Sequence, residues 1–387
     1  MSAGARAEGR TEIEADPYNL RYGRRRRVLE QMDCHDLDVL VLGRQANVRY
    51  VTGAPQLWVA GTRPFGPICT LVRATGAIHL NSTWDEGMPE EIDHDHLYGL
   101  AWNPMTLIGV LQGIAGCDTA TRVGTDALTP NFAKLLPMAF PNAELVDGEQ
   151  AMRTARRVKT ADEVAALRAS VRVAEEGLAS AVAELIPGTT ERNLAGALME
   201  AEAAGGVSTP ATQDSAWITS KDIPWRRAAG DGRLRDGDLV VISAGVLADG
   251  YVGEVARTLP VGKVPDARPV RALYARRDAL WDKLLTACQP GRPASALLDA
   301  YDAAGEPVPP APVAHGLGLG FDPPVVSQHL RATSDAEILA EGMVLAVTAH
   351  VWQRGLGAVF SRDAVLITAD GAEVLSTSPS WSEARDD

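Results

Sequence analysis

The sequence predicts an α/β domain over residues 17–150, followed by an α+β domain with two similar halves over residues 151–380. Helix-like and strand-like patterns alternate before residue 150. After it, a helix, a Pro-Gly stop and a second helix occur twice, about a hundred residues apart, and strand-rich segments follow each copy. Two halves of one plan imply a pseudo-twofold domain with a cleft where the halves meet.

The first domain begins after a polar segment, residues 1–16, which we expect to be a disordered tail. A basic helix follows in RYGRRRRVLEQMDC, and its run of four arginines is predicted to be a solvated face. A strand is predicted at Asp38–Leu42. The segment GPICTLVRATGAIHL predicts a hairpin that turns at Ala74–Gly76.

The second domain begins with a helix that Thr160 and Glu163 start as a capping box. Pro187-Gly188 ends this helix, and Pro290-Gly291 ends its counterpart in the second half. The apolar residues of the first helix recur every three or four positions and predict one buried stripe: Val164, Leu167, Val171, Ala174, Leu178 and Val182.

Composition excludes several classes of protein. The chain has 387 residues with a net charge of −13 and a pI near 5.1, which argues against a nucleic-acid partner. The sequence has no run of eighteen or more apolar residues, so no membrane span is predicted. The four cysteines are scattered without a C-x-x-C pair, so we expect free thiols in a cytoplasmic protein.

Eight segments, taken in order, give the chain a family resemblance. Together they resemble the pita-bread fold family, peptidase family M24, which includes creatinase, aminopeptidase P, prolidase and methionine aminopeptidase. The resemblance implies a creatinase-like N-terminal domain before a pita-bread catalytic-type domain. The segments are NVRYVTG, ARRVKTADEVAALRASVRVA, PGTTERNL, GDLVVISAG, DGYVGEVARTLPVG, AHGLGLGFDPP, LAEGMVLAV and DAVLITADGAEVLS.

The family's peptidases hold two divalent metals through two Asp, one His and two Glu. The resemblance places these positions, in chain order, at Ser243, Glu254, His315, Thr348 and Arg362. A permanent cation repels the metal whose ligand it replaces, and two remaining donors are too few for a tight site. We therefore expect no metal cofactor, although His350 near Thr348 leaves room for a rearranged site.

The resemblance to creatinase, which lacks the metals, implies histidine acid/base chemistry, but the matching position is near Trp225 and holds no histidine. His315 is the predicted acid/base group, with Glu254 as its partner. Two alternatives stay open for Arg362: it clamps a substrate carboxylate, or it pairs with Glu254 and fills the place of the metals. The further predicted binding residues are Ser243, Thr348, Asp363 and Trp225. Two alternatives stay open for Trp225 and Trp217: they wall a pocket, or they lie partly buried in a loop.

The leading hypothesis is a metal-independent hydrolase of creatinase or Xaa-Pro aminopeptidase type. It acts on a C–N or amide bond of a small carboxylate-bearing substrate; a lyase reaction is also considered. The alternatives are a non-catalytic pseudopeptidase with a ligand in the relic cleft and a metallopeptidase with unusual ligands. Arg63 follows NVRYVTG at the distance at which creatinase-like relatives place an arginine that reaches the neighbouring subunit's cleft. The resemblance therefore implies a homodimer with a shared site in which Arg63 binds the substrate carboxylate; an exposed loop arginine is the alternative.

Overall fold

Two β-sheets, each covered by helices, organise the chain. The computed structural model describes residues 16–54, 68–81, 87–99, 103–126, 129–207, 211, 215–264 and 266–381. The N-terminal sheet has six strands in the order β4-β3-β2-β1-β5-β6. Its strands are β1 Val39–Leu42, β2 Cys69–Val72, β3 Ile78–Asn81, β4 Leu97–Tyr98, β5 Arg122–Thr125 and β6 Glu144–Asp147. The antiparallel pairing of β2 with β3 confirms the predicted hairpin.

Helices pack on both faces of the N-terminal sheet, because strand β1 is apolar on both sides. Val39 and Val41 belong to one buried cluster, and Leu40 and Leu42 belong to another on the opposite face. The second of these clusters also includes residues of the C-terminal sheet, so the two parts of the chain share a core. The helices are α1 Pro17–Cys34, α2 Gln45–Thr52, α3 Pro104–Gly113, α4 Pro130–Leu135 and α5 Glu149–Arg157, with 3-10 turns at His94–His96 and Leu136–Met138.

The arginine run of α1 is not the solvated face that the sequence predicts. Arg24 is only 3% exposed, and Arg26 is the exposed member of the run. The prediction is wrong because four consecutive residues of a helix span its whole circumference, so one of them must point toward the body of the protein. Arg24 is that residue, and its guanidinium lies over the rings of Tyr50 and Tyr251.

The C-terminal sheet has eight strands. Seven lie in the order β11-β10-β12-β13-β9-β8-β7, and the eighth, β14, pairs with β13. They are β7 Ala216–Ile218, β8 Leu239–Ala248, β9 Tyr251–Pro260, β10 Ala314–Leu317, β11 Phe321–Val326, β12 Val344–Gln353, β13 Gly357–Thr368 and β14 Gly371–Val374. The accompanying helices are α6 Ala161–Ala183, α7 Glu191–Ala204, α8 Ala267–Ala287, α9 Ala296–Ala304 and α10 Arg331–Ala336, with a 3-10 turn at Gln328–Leu330.

The two halves of the C-terminal part meet at the centre of its sheet. Hairpin β8–β9 belongs to the half with α6 and α7, and hairpin β12–β13 belongs to the half with α8 and α9. The hairpins join where Arg362 of β13 pairs with Ala256 of β9. The capping box at Thr160 and Glu163 is confirmed. The predicted stripe of α6 is buried from Leu167 to Leu178, but Val164 at the first turn is partly exposed and Val182 at the last turn is 38% exposed.

None of the helices in the described part of the chain is long and apolar enough to cross a membrane.

Candidate functional site

Strand register places the predicted site residues on one face of the C-terminal sheet. Ser243 and Arg362 both pair with Ala256, and Thr348 pairs with Arg362. Partners in register point to the same face, and residues two apart on a strand do too, so Glu254 joins this face. His315 pairs with Ala346, two residues before Thr348, and completes the set. Five positions distant in sequence thus converge because their strands are neighbours.

His315 lies at a bulge that requires glycine beside it. The register of β10 against β11 shifts between His315 and Gly316. A Cβ on Gly316 would lie 2.7 Å from the carbonyl oxygens of Asp322 and Pro323, a distance that no side chain tolerates. The ring of His315 packs edge-on against Phe321 with centroids 4.7 Å apart. These contacts hold an imidazole that is 14% exposed at the edge of the site.

Glu254 is the buried centre of the site, with a side chain only 1% exposed. Its Oε2 lies 3.4 Å from Nε2 of His315 and 3.3 Å from Nη1 of Arg362. Burial would raise the pKa of Glu254, but His315 and Arg362 outweigh it and hold this pKa below its usual value. Neither Glu254 Oε1 nor His315 Nε2 has a hydrogen-bond partner among the described residues. Nε2 of His315 lies 3.4 Å from Glu254 Oε2 but is not aligned for a hydrogen bond. Two buried polar atoms therefore lack a partner within the site.

Arg362 binds two members of the site at once. Its Nε donates to Oγ1 of Thr348 at 3.1 Å, and its Nη1 donates to Glu254. The guanidinium lies over the ring of Phe360, 5.4 Å from the centroid, and the side chain is 20% exposed. Of the two predicted alternatives, the pairing with Glu254 is present, and the same guanidinium still reaches an adjoining cavity.

This cavity, which we call the aromatic cavity, has a volume of about 320 Å³ and continues the site along the same sheet face. Thr348 and Arg362 form its inner wall. The sequence left open whether Trp217 and Trp225 wall a pocket, and the structure places both at the cavity. Its other walls are Arg226, Arg227, His350, Phe360 and the segment Pro309–Pro312, and Arg227 lies 5.0 Å from the Trp217 ring centroid.

His350 and Phe360 are parts of the cavity that sequence reasoning did not assign. They pair with each other across β12 and β13, and each lies two residues from a predicted site residue, on the same face. That period-two spacing is the signal that could have found them. Burial lowers the pKa of His350 to about 4, so this imidazole is neutral at physiological pH. The backbone N–H of His350 donates to Tyr301 Oη at 3.1 Å.

One predicted binding residue points away from the site, and another lies outside the described residues. Asp363 follows Arg362 on β13 and points to the opposite face, where its Oδ1 accepts from Arg257 at 2.7 Å and from Ser376. Its expected role beside Arg362 is wrong, because adjacent residues of a strand alternate between faces. Arg63 lies outside the described residues, so the shared site of a homodimer stays a prediction.

The residues at the relic metal positions do not fit a pair of divalent ions. Only Glu254 and His315 offer the donors that such metals prefer, and Arg362 brings a permanent cation to 3.3 Å from the carboxylate. Within the described ranges, no group of three or more His, Cys, Asp or Glu side chains could hold a metal ion. Ser243 and Thr348 carry hydroxyls, which are poor ligands without carboxylate neighbours.

Comparison with known proteins identifies the class. Residues 165–369 match metallopeptidase family M24, and residues 24–158 match the creatinase/prolidase N-terminal domain. The chain belongs to metallopeptidase family M24. It is 23% identical over 367 residues to an Xaa-Pro dipeptidase of Pyrococcus horikoshii, covering 91% of this chain and 96% of the relative. An Xaa-Pro dipeptidase of Pyrococcus furiosus is 26% identical over 236 residues, 59% of this chain and 65% of the relative.

Solved structures show the same fold. The prolidase from Pyrococcus horikoshii OT3 superposes with a TM-score of 0.73 at 22% identity, covering 92% of this chain and 99% of that chain. The Xaa-Pro dipeptidase from Bacillus anthracis gives a TM-score of 0.73 at 16% identity, with 94% and 99% covered. The predicted fold class, a creatinase-like N-terminal domain before a pita-bread domain, is confirmed.

Proposed function

We propose that the chain is a metal-independent hydrolase that cleaves a C–N or amide bond of a small carboxylate-bearing molecule. The observation that carries this proposal is the position of Arg362, whose guanidinium lies 3.3 Å from Glu254 and 3.1 Å from Thr348. These are three of the positions that the family resemblance assigns to metal ligands. A protein cation supplies there the positive charge that two metals supply in the family's peptidases.

The reaction requires one group that accepts and then returns a proton. In the proposed step, Nδ1 of His315, the ring nitrogen that does not face Glu254, takes a proton from a water molecule, whose oxygen forms a bond to the carbonyl carbon. The same proton then passes from His315 to the leaving nitrogen as the C–N bond breaks, which returns the imidazole to its neutral form. Glu254, 3.4 Å away and charged because its pKa is held low, stabilises the intermediate imidazolium.

The aromatic cavity supports the substrate class. Its tryptophan, phenylalanine and proline walls suit an apolar or aromatic group, and Arg362 at its inner wall suits a carboxylate. A volume of about 320 Å³ lies at the small end of ligand pockets and fits a molecule of dipeptide size. The related Xaa-Pro dipeptidases are named for dipeptide substrates, which supports the same size.

The experiment is a turnover screen with dipeptides and N-acyl amino acids, each paired with its C-terminal amide, with and without a chelator. We expect cleavage of an acid-terminated compound, weaker cleavage of its amide and no effect of the chelator. His315→Ala should lower kcat by about 10²–10⁴-fold without changing the folded fraction. Exposed His329 lies outside the site, so His329→Ala is the matched control and should turn over like the wild type.

Three outcomes would contradict the proposal. Unchanged turnover in His315→Ala removes the acid/base role, and turnover that requires added metal identifies a metallopeptidase with unusual ligands. Saturable binding of acid-terminated compounds without any turnover identifies a non-catalytic ligand-binding member of the family.

A further inference from the structure

A second cavity lies between the two parts of the chain, away from the residues assigned to hydrolysis. We call it the interdomain cavity. It has a volume of about 470 Å³ and lies between helices α1 and α2, helix α6 and the turn of hairpin β8–β9. Among the described residues, four arginines and one acidic residue, Asp249, line it. The arginines are Arg21, Arg24, Arg49 and Arg172.

Arg24 is the deepest of these arginines. It is 3% exposed, and its Nη1 donates to the hydroxyl of Tyr251 at 3.3 Å. Its Nε is buried without a hydrogen-bond partner among the described residues. A buried guanidinium N–H without an acceptor is expensive, and a charged acceptor satisfies it best. Glu163 meets Arg24 through the Tyr251 hydroxyl, so the unmet requirement is confined to an acceptor for Nε beside the cavity that Arg24 lines.

Arg49 adds a second positive charge close to the first. Burial lowers the pKa of Arg49, and the charge of Arg24 lowers it further, whereas Asp249 raises it. The proximity of two guanidinium groups is unfavourable unless negative charge lies between them. Arg21 is already paired with Glu91, at 2.9 and 2.8 Å, and Arg172 is exposed, so Arg24 and Arg49 are the two arginines that face the interior of the cavity.

The turn beneath these arginines leaves their side chains room. Asp249 and Gly250 form the two-residue turn of hairpin β8–β9, both with positive φ. A Cβ on Gly250 would lie 2.3 Å from Nε of Arg49, so the arginine lies directly against the turn. Glycine at this position therefore permits both the backbone conformation and the close approach of Arg49.

We infer that the interdomain cavity binds a phosphate group of a small molecule between the guanidinium groups of Arg24 and Arg49. Guanidinium groups bind phosphate oxygens through paired N–H donors, and the volume is within the range of ligand pockets. Bound phosphate supplies the acceptor that Arg24 Nε lacks and separates the two like charges. The ligand contacts helices α1, α2 and α6, so it bridges the N-terminal and C-terminal parts of the chain.

The test is titration calorimetry of the full chain with inorganic phosphate and pyrophosphate, at constant ionic strength, with citrate and acetate as carboxylate arms. We expect saturable binding of one phosphate or pyrophosphate per chain, and a ligand-dependent rise in Tm. Citrate and acetate should bind at least about ten-fold more weakly.

Arg49→Gln should weaken phosphate binding by about 10–100-fold, the loss expected for a charge-assisted contact. Asp249→Asn removes the negative charge from the cavity and should tighten phosphate binding several-fold. Asparagine also accepts the left-handed backbone at this turn, so the turn should be kept. Arg235→Gln, at an exposed arginine paired with Asp231, is the control and should bind phosphate like the wild type. These variants keep Arg24, whose burial makes its replacement a risk to folding.

The inference is overturned if phosphate and pyrophosphate produce no saturable heat or Tm shift. It is also overturned if Arg49→Gln binds them as the wild type does, or if citrate or acetate binds more tightly than phosphate. Because none of these measurements depends on turnover, their outcome is independent of the proposed hydrolysis.

Discussion

The guanidinium of Arg362 lies 3.3 Å from Oε2 of Glu254, a carboxylate that is 1% exposed, at the junction of the two halves of the C-terminal sheet. The family resemblance places a metal ligand at each of these positions. Each charge of the pair offsets part of the cost of burying the other, and His315 also stabilises the carboxylate.

Removing the cation should destabilise the protein more than removing the whole pair. Arg362→Met leaves Glu254 buried without its cation, and we expect a loss of about 3 kcal/mol in the free energy of unfolding. The double variant Glu254→Gln/Arg362→Met should recover most of this loss, because no buried charge remains. Urea denaturation of the wild type, Glu254→Gln, Arg362→Met and the double variant measures the coupling free energy between the two side chains. Equal losses in the single and double variants would contradict the pairing.

Burial of His350 predicts a specific dependence of stability on pH. Its folded pKa of about 4 lies below the unfolded value of 6.5, so the unfolded chain binds the proton more readily between these values. The stability that neutral His350 contributes is therefore complete above pH 6.5 and is lost as pH falls toward 4. The full shift corresponds to about 3 kcal/mol.

Comparison of the wild type with His350→Gln isolates this effect. The free energy of unfolding of the wild type should fall relative to that of His350→Gln as the pH falls from 6.5 to 4, measured by urea denaturation at each pH. His79, whose pKa is also about 4, is retained in both proteins and cancels in the difference. A difference that is constant over this pH range would show that His350 does not titrate as described.

Asp322 connects the hairpin of His315 to the N-terminal part of the chain. Its carboxylate, 2% exposed, lies 3.1 Å from Arg156 and 3.4 Å from Lys159. Asp322→Ala removes the carboxylate from buried Lys159 and leaves Arg156 only Glu149, at 3.6 Å, so we expect a loss of about 3–5 kcal/mol in the free energy of unfolding. The exposed residue Asp335 is the control, since Asp335→Ala should change stability by less than about 0.5 kcal/mol. Similar effects of the two substitutions would contradict a structural role for Asp322.

Gly253 permits the packing of α6 against β9 beside Glu254. A Cβ at this position would lie 2.4 Å from the backbone carbonyl of Ser170, which cannot move without the helix. Gly253→Ala should therefore cost about 1–3 kcal/mol or more in thermal unfolding experiments. Gly196→Ala, in the middle of α7 with nothing within 4 Å, should instead stabilise the protein by about 0.5–1 kcal/mol. Stabilisation in both variants would contradict the close packing.

Sequence reasoning predicts which residues meet in the site better than it predicts how their side chains are paired. Period-two alternation is a local property and places Glu254 and Ala256 on one face of a strand. The convergence of Glu254, Thr348 and Arg362 was instead implied by the family resemblance, because the pairing of β9 with β13 joins residues about a hundred positions apart. The direction of a long side chain is not local, because the partners of Arg362 come from other strands. The burial of Arg24 was missed for the same reason, since it depends on the packing of α1 against α2 and β9.

The walls of the aromatic cavity mark a second limit of sequence reasoning. Trp217 and Trp225 were recognisable as candidates, but their shared cavity with Pro309–Pro312 joins segments about ninety residues apart. Asp363 shows the converse, since period-two alternation along β13 from Arg362 is sufficient to exclude it. Applied consistently from Arg362, the same rule also identifies Phe360.

If Arg362 occupies the place of the metals, the purified protein should not retain divalent ions. Purified protein is dialysed with excess Mn²⁺, Co²⁺ or Zn²⁺ at neutral pH, desalted and measured by elemental mass spectrometry, with Arg362→Glu as the comparison. We expect well under 0.1 metal ion per wild-type chain, and a higher content in Arg362→Glu, where a carboxylate joins Glu254 and His315. One or two ions retained per wild-type chain would show that Arg362 does not take the place of the metals.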